Sequence, residues 1–392
     1  MTMTNTAGAP AVRAGNFQGT LLALLSLVSV AAALLLAPVL PSMVAHFSAD
    51  PAAEQKGLMA LAIPALAVAI SAPLWGRIVD AIGRKRLLVL SLACYGLIGV
   101  APAFLEDLGI IIGFRIALGI AEAAVMTAST TLIGDYFRGA EREKWLVFQT
   151  AAASVAGIFF LALGGIIGDG DWRHAFYVYL LALVAVPLCI IFLDEPSVHA
   201  QDEEPSRGFP WRRVSGLYIA ALMASIMFFL LPIQVPFLLT AIGYSAPMII
   251  GLTNAAGAIA VPLGAGLFRM RSSKPFWQNM FLAFLLMAIG FGIVSQTTNY
   301  ALLLAGIVVG SLGAGVALPL MLTAIMERLP FDQRGRGTGG FQTAFFLGNF
   351  VSPIIVIALT AAGAGLSGSI GIIGIVALIL ALAAIGLRFQ SR

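Results

Sequence analysis

Residues 56–105 read KGLMALAIPALAVAISAPLWGRIVDAIGRKRLLVLSLACYGLIGVAPAFL. Two apolar runs, 56–76 and 86–105, flank a short stretch that carries Arg77, Asp80, Arg84, Lys85 and Arg86. Each run is about 20 residues long, enough helix to cross the ~30 Å hydrocarbon core of a bilayer. The pattern recurs along the chain. Further apolar runs cover 18–40, 109–134, 145–167, 174–193, 214–239, 247–267, 277–295, 300–326, 338–362 and 369–388, twelve in all. Of the 392 residues, 60% are apolar and 10% charged, whereas a soluble domain carries roughly 25% charged residues. So little charge cannot cover a water-facing surface. Spanning strands would read as ~10-residue alternating segments, and none occur. The expected class is an all-α membrane protein with twelve transmembrane helices.

The first run is too long for a signal-peptide core and no convincing cleavage site follows it, so it reads as a retained helix. With the N-terminus placed in the cytoplasm, nineteen of the 22 Lys and Arg fall on the cytoplasmic side of this map. Only Lys56 and Arg173 fall outside, and Arg115 lies within a span. Basic residues concentrate in cytoplasmic loops, so both termini are expected inside the cell, with the chain in a bacterial inner membrane. The pI near 9.3 reflects the same asymmetry and gives no support to a nucleic-acid partner. Cys94 and Cys189 both fall inside spans, which argues against a disulfide framework. His46, His174 and His199 lie far apart at span ends or in loops, which argues against a metal site. No nucleotide loop of the G-x-x-x-x-G-K-[ST] form occurs. A monomer without cofactor is expected.

The most polar internal stretch, DEPSVHAQDEEPSRGFPWRR at 194–213, divides the chain into two sets of six spans, 1–193 and 214–392. The halves echo each other. DYFRGAEREKW begins at Asp135 between spans 4 and 5, and ERLPFDQRGRG begins at Glu327 between spans 10 and 11. The acid-to-Arg spacing is the same in both, Asp135 to Arg142 and Glu327 to Arg334. Two pseudo-symmetric six-helix bundles with a site at their interface are a known transporter plan.

The loop after span 2, GRIVDAIGRKRLL at 76–88, resembles the G-x-L-x-D-x-x-G-R-[KR] signature of the major facilitator superfamily, through Gly76, Asp80, Gly83, Arg84 and Lys85. Arg115 and Gly119 in span 4 resemble the family's R-x-x-x-G motif, with Leu118 where a polar residue is usual. Trp172, Arg173 and Phe176 resemble the W-R-x-x-F that opens its sixth helix, and Pro38-Val39-Leu40-Pro41 is similar to a motif of the twelve-helix drug:proton antiporters. The antiporter motif of helix 5 is incomplete: Gly164-Gly165 are present, but Phe160-Leu161 stand where it has G-P. The resemblance implies the major facilitator fold, transport by alternating access, and a cytoplasmic gate at Gly76, Asp80, Gly83, Arg84 and Lys85; Asp80 is expected to pair with a helix terminus or with a loop arginine such as Arg138 or Arg142.

Arg115 and Glu122 alone are charged well inside the spans. Ionisable residues at that depth are costly and point to function. Seven residues apart on one helix, they share a face within roughly 20°. Glu122 is the candidate proton carrier, with Arg115 in support; the alternative for both is hydrogen bonding that only fixes packing. Gln149, Gln234, Asn254, Gln342 and Asn349 are uncharged polar residues at membrane depth, and Phe228 and Phe346 can wall a cavity with them. The expected function is a proton-coupled secondary transporter for small molecules, driven by the proton gradient, with efflux of lipophilic or amphipathic compounds foremost. Uptake or export of a metabolite, sugar or siderophore is the alternative. An intramembrane enzyme needs clustered acid, base, nucleophile or metal ligands, which one Glu and one Arg do not supply.

Overall fold

The structure is a computed structural model that describes residues 15–196, 209–329 and 333–390. Among these residues there are helices and turns but no strand. The first helix, α1, spans 16–46 in pieces: Asn16–Leu24, Ser26–Leu34, a 3-10 turn Ala37–Val39, and Leu40–His46. Then follow α2 (Ala53–Ile82), α3 (Arg84–Val100), α4 (Leu108–Tyr136) and α5 (Gly139–Ile167). In α6 a 3-10 stretch, Trp172–Leu180, runs on into Leu181–Phe192. The second half comprises α7 (Trp211–Ala241), α8 (Pro247–Met270), α9 (Phe276–Gln296), α10 (Tyr300–Glu327), α11 (Arg334–Leu359) and α12 (Gly365–Gln390). The expected 194–213 linker lies largely at 197–208, outside the described residues.

Nine helical segments among the described residues are long and apolar enough to cross a membrane. One of them, Arg336–Gly386, holds two helices, and the shorter apolar pieces Val30–His46 and Val155–Ile167 belong to α1 and α5. The twelve expected helices are all present. Three details differ from the expectation of plain spans. Pro38 and Pro41, which donate no backbone N–H, sit in and just after the 3-10 turn that breaks α1. The 3-10 opening of α6 has no sequence signal. A loop was expected between the last two spans, but α11 and α12 are joined by a single π-turn, Thr360–Ala364, which reverses the backbone through Gly363 (φ 96°) and Gly365 (φ 65°).

Each half has its own core. One apolar cluster is built almost entirely from α1 to α6 and the other from α7 to α12. The halves meet along two seams, α5 on α8 and α2 on α11. The α5–α8 seam closes at the end where α5 finishes and α8 starts. There a Cβ on Gly251 would stand 2.6 Å from the Leu161 carbonyl oxygen and 2.8 Å from Gly165 Cα, so only glycine permits the approach. The basic loops after α2, α4, α8 and α10 gather at the opposite end, which we call the basic end.

Candidate functional site

Arg115 is 1% exposed and donates three hydrogen bonds. Its Nε reaches the Ala60 carbonyl of α2 (2.7 Å), Nη2 the Ala32 carbonyl of α1 (2.6 Å), and Nη1 the Tyr179 hydroxyl of α6 (2.8 Å). Two of these acceptors follow from the sequence. Ala60 lies four residues before Pro64, which has no N–H to give it. Ala32 lies in the last turn before α1 breaks, where carbonyls lose their helical partners. Arg115 therefore ties α1, α2 and α6 to α4. Its guanidinium is engaged by protein on three sides.

Glu122 lies two turns further along α4 on the same face, about 10 Å along the axis at 1.5 Å per residue. It is 2% exposed and has neither hydrogen-bond nor ion-pair partner among the described residues.

A cavity of about 1730 Å³ lies between the halves. Its wall is formed by α2, α4 and α5 on one side and by α7, α8, α10 and α11 on the other. Val68, Ala123 and Phe346 lie at its inner end; Phe209, Trp211, Arg269 and Arg336 lie at the basic end, where Trp211 is 62% exposed. The cavity thus opens at the basic end and stops short of the glycine-sealed end. Glu122 directly precedes Ala123 and lies one helical turn before Met126, both on this wall, so it sits just behind the inner end.

Of the cavity residues expected from sequence, Gln149, Gln342 and Phe346 line this wall, and so does Gly76. Gln149 also donates to the Thr130 hydroxyl (3.4 Å). The others are placed elsewhere. Asn254 donates to the Pro232 carbonyl (3.2 Å), which Pro236 leaves without its helical partner. Gln234 is 1% exposed, and its amide nitrogen has no partner among the described residues. Asn349 is buried, and Phe228 packs on Phe229 and Phe345 between α7 and α11. Sequence reading missed Thr127, Thr130 and Thr131, whose i, i+3, i+4 spacing puts them on one face of α4, together with the mouth residues.

At the basic end, Gly83 takes φ 100° and turns α2 into α3. The Glu195 carboxylate, just beyond α6, accepts hydrogen bonds from the backbone N–H groups of Arg84, Lys85 (3.3 Å) and Arg86 (3.2 Å). Arg84 Nε pairs with Asp135 (2.9 Å), and Lys85 Nζ donates to the Ile190 carbonyl (2.9 Å). Arg138 and Arg142 are exposed, and Arg142 lies over Gly134. The Asp80 side chain, and hence its expected pairing, lies outside the described residues. Sequence reading missed Asp135 and Glu195 as partners of this segment; acids at span ends near a basic cluster are the signal for them.

The glycine-sealed end carries a smaller cavity of about 400 Å³ beside His46 and Arg173, both bonded to Glu106. Hydrogen bonding from His46 holds the Glu106 carboxyl below its ordinary range, reinforced by Arg173.

The family model described as Major Facilitator Superfamily matches residues 22–353 and 277–392. The chain is 32% identical over 146 residues to the efflux pump dotC of Dothistroma septosporum, a match covering 36% of this chain and 24% of that protein. It is 25% identical over 361 residues to the multidrug efflux pump LfrA of Mycolicibacterium smegmatis, covering 74% of this chain and 69% of that one. Among solved structures, it superposes with a TM-score of 0.80 at 15% identity on a bacterial homolog of the human lysosomal transporter Spinster in an inward-facing, occupied conformation. That match covers 96% of this chain and 97% of the other.

Proposed function

The chain belongs to the major facilitator superfamily, and from that premise we propose that it is a proton-coupled secondary transporter that exports lipophilic or amphipathic small molecules by alternating access. Membership makes it a multi-pass membrane transporter rather than an enzyme. Proton coupling, substrate class and direction are the proposal. Efflux is favoured by the similarity to two efflux pumps. The basic end is taken to face the cytoplasm under the positive-inside rule. The cavity would then load from inside the cell, as an exporter requires.

The observation that carries the reading is the position of Glu122. It lies behind the inner end of a largely apolar cavity, buried, with no protein partner among the described residues. A carboxyl so placed is not held by a hydrogen bond or ion pair among the described residues, so opening the cavity to either side can load or release a proton. Arg115, spent on α1, α2 and α6, then acts by holding α4 in place. The segment from Gly76 to Leu88, with Asp80, Arg84 and Lys85, is assigned to closing the cytoplasmic end.

The test is flux in proteoliposomes with an imposed pH gradient and a substrate panel, for wild type and Glu122→Gln. The amide keeps the shape but cannot exchange the proton. It is expected to abolish gradient-driven accumulation and the proton movement that accompanies transport, while substrate still binds. Proton movement at the wild-type level in Glu122→Gln would exclude Glu122 as the coupling group.

A further inference from the structure

The cavity wall changes character along its length. Its inner part, toward Glu122, is aliphatic and aromatic: Val68, Ala69, Ala123, Met126 and Phe346. Its mouth carries the guanidinium groups of Arg269 and Arg336 beside the rings of Trp211 and Phe209. Arg336 stacks on Phe209 at 5.1 Å, and Arg269 is exposed at the end of α8. Among the described residues the wall has no carboxylate.

We propose that the cavity selects amphiphiles with one acidic head group, a carboxylate or a phosphate ester, bound with the head at Arg269 and Arg336 and the apolar body directed toward Glu122. The inference rests on the transporter reading above and names its substrate class. A guanidinium presents paired donors that match a carboxylate or phosphate. From Arg336 to Phe346 the wall extends ten residues along α11, about 15 Å, past Thr338, Gln342 and Thr343, so an extended chain held at the mouth reaches the apolar inner part. The volume of about 1730 Å³ exceeds the roughly 300–1,000 Å³ of ordinary ligand pockets and leaves room for a bulky body.

Other classes fit less well. A cationic amphiphile would pass two guanidiniums and meet no carboxylate on the wall, since Glu122 is itself 2% exposed. A sugar needs many hydrogen-bond partners, and unmet ones are costly. The Thr127 and Thr131 hydroxyls already donate to carbonyls of their own helix, at 2.8 Å each.

The test uses one body with four heads. The full chain in lipid nanodiscs is titrated with labelled dodecanoate, dodecyl phosphate, dodecanol and dodecylammonium, and uptake by empty nanodiscs is subtracted. Saturable binding of at least one acid is expected to be about tenfold or more tighter than that of the amine. Arg269→Gln is expected to weaken the acids three- to tenfold and leave the alcohol unchanged, with Arg269→Lys intermediate. Amine binding as tight as the acids, or an unchanged acid-to-alcohol ratio in Arg269→Gln, overturns the head-group assignment. If all four bind saturably with equal constants, the charge selection fails and the amphiphile cavity stands. If none binds saturably, both fail.

Discussion

Arg115 is held at membrane depth by backbone acceptors that prolines and a helix break set free. A charged side chain in a bilayer core survives only where its donors are met, and here Ala60, Ala32 and Tyr179 meet them. Arg115→Ala would leave these acceptors unpaired and is expected to cost roughly 2–4 kcal/mol of stability. Thermal melting in detergent reads this as a lowered midpoint. Arg115→Lys should recover less than half of the loss, because an ammonium on one flexible stem cannot span three helices as a planar fork does. An unchanged midpoint in Arg115→Ala would remove the clamp. The importance of Arg115 is legible in the sequence because no other arginine lies well inside a span. Its partners are not, because they are main-chain atoms on helices far away in the chain. The same arithmetic, a proline four residues after an acceptor, explains why Asn254 bonds Pro232 rather than facing the cavity. That reassignment is readable only once α7 and α8 are known to pack together.

Among the helices, α3 starts under an electrostatic handicap. Arg84, Lys85 and Arg86 occupy its first turn, where the helix dipole favours negative charge. Glu195 offsets this from the end of α6 by accepting from the three backbone N–H groups. Gly83 permits it: φ there is 100°, and a Cβ would stand 3.0 Å from the Glu195 carboxylate. Glu195→Ala is therefore expected to lower stability by about 0.5–2 kcal/mol, as loss of a helix cap does, and to raise protease sensitivity near residues 193–196. Wild-type melting and proteolysis in Glu195→Ala would show that the cap contributes nothing. The existence and approximate ends of all twelve helices are legible from apolar runs and charge clusters. The break in α1, the 3-10 start of α6 and the π-turn between α11 and α12 are not. These irregularities answer to packing across the bundle, which hydropathy does not record.

Across the whole molecule, the glycines divide into two kinds. Gly165 and Gly251 are in contact and seal one end of the α5–α8 seam, whereas Gly76 of α2, Gly266 of α8 and Gly339 of α11 have nothing within 4 Å of where a Cβ would lie. The second group lines the open cavity at the basic end. Small residues let helix backbones approach closely in membranes, so under the proposed alternating access the open space at Gly76 and Gly339 is where α2 and α11 are expected to close. Gly76→Val and Gly339→Val should then be tolerated in the present state, since nothing lies within 4 Å of where a Cβ would go. They should block closure at the basic end and reduce transport at least tenfold with little change in melting temperature. Population of the open state is read by labelling a cysteine placed at Thr127 on the cavity wall. The background is Cys94→Ser, because Cys94 is exposed and Cys189 buried. Labelling from the basic end should rise or hold, and labelling from the far side should disappear. The sealed end predicts the reverse. A Cβ on Gly165 collides with the Pro247 carbonyl, so Gly165→Val should favour far-side labelling or destabilise the protein. Transport at wild-type rates in both Gly76→Val and Gly339→Val would mean that the two ends do not alternate through these contacts. Loss of transport with unchanged labelling would place their effect on substrate passage rather than on closure.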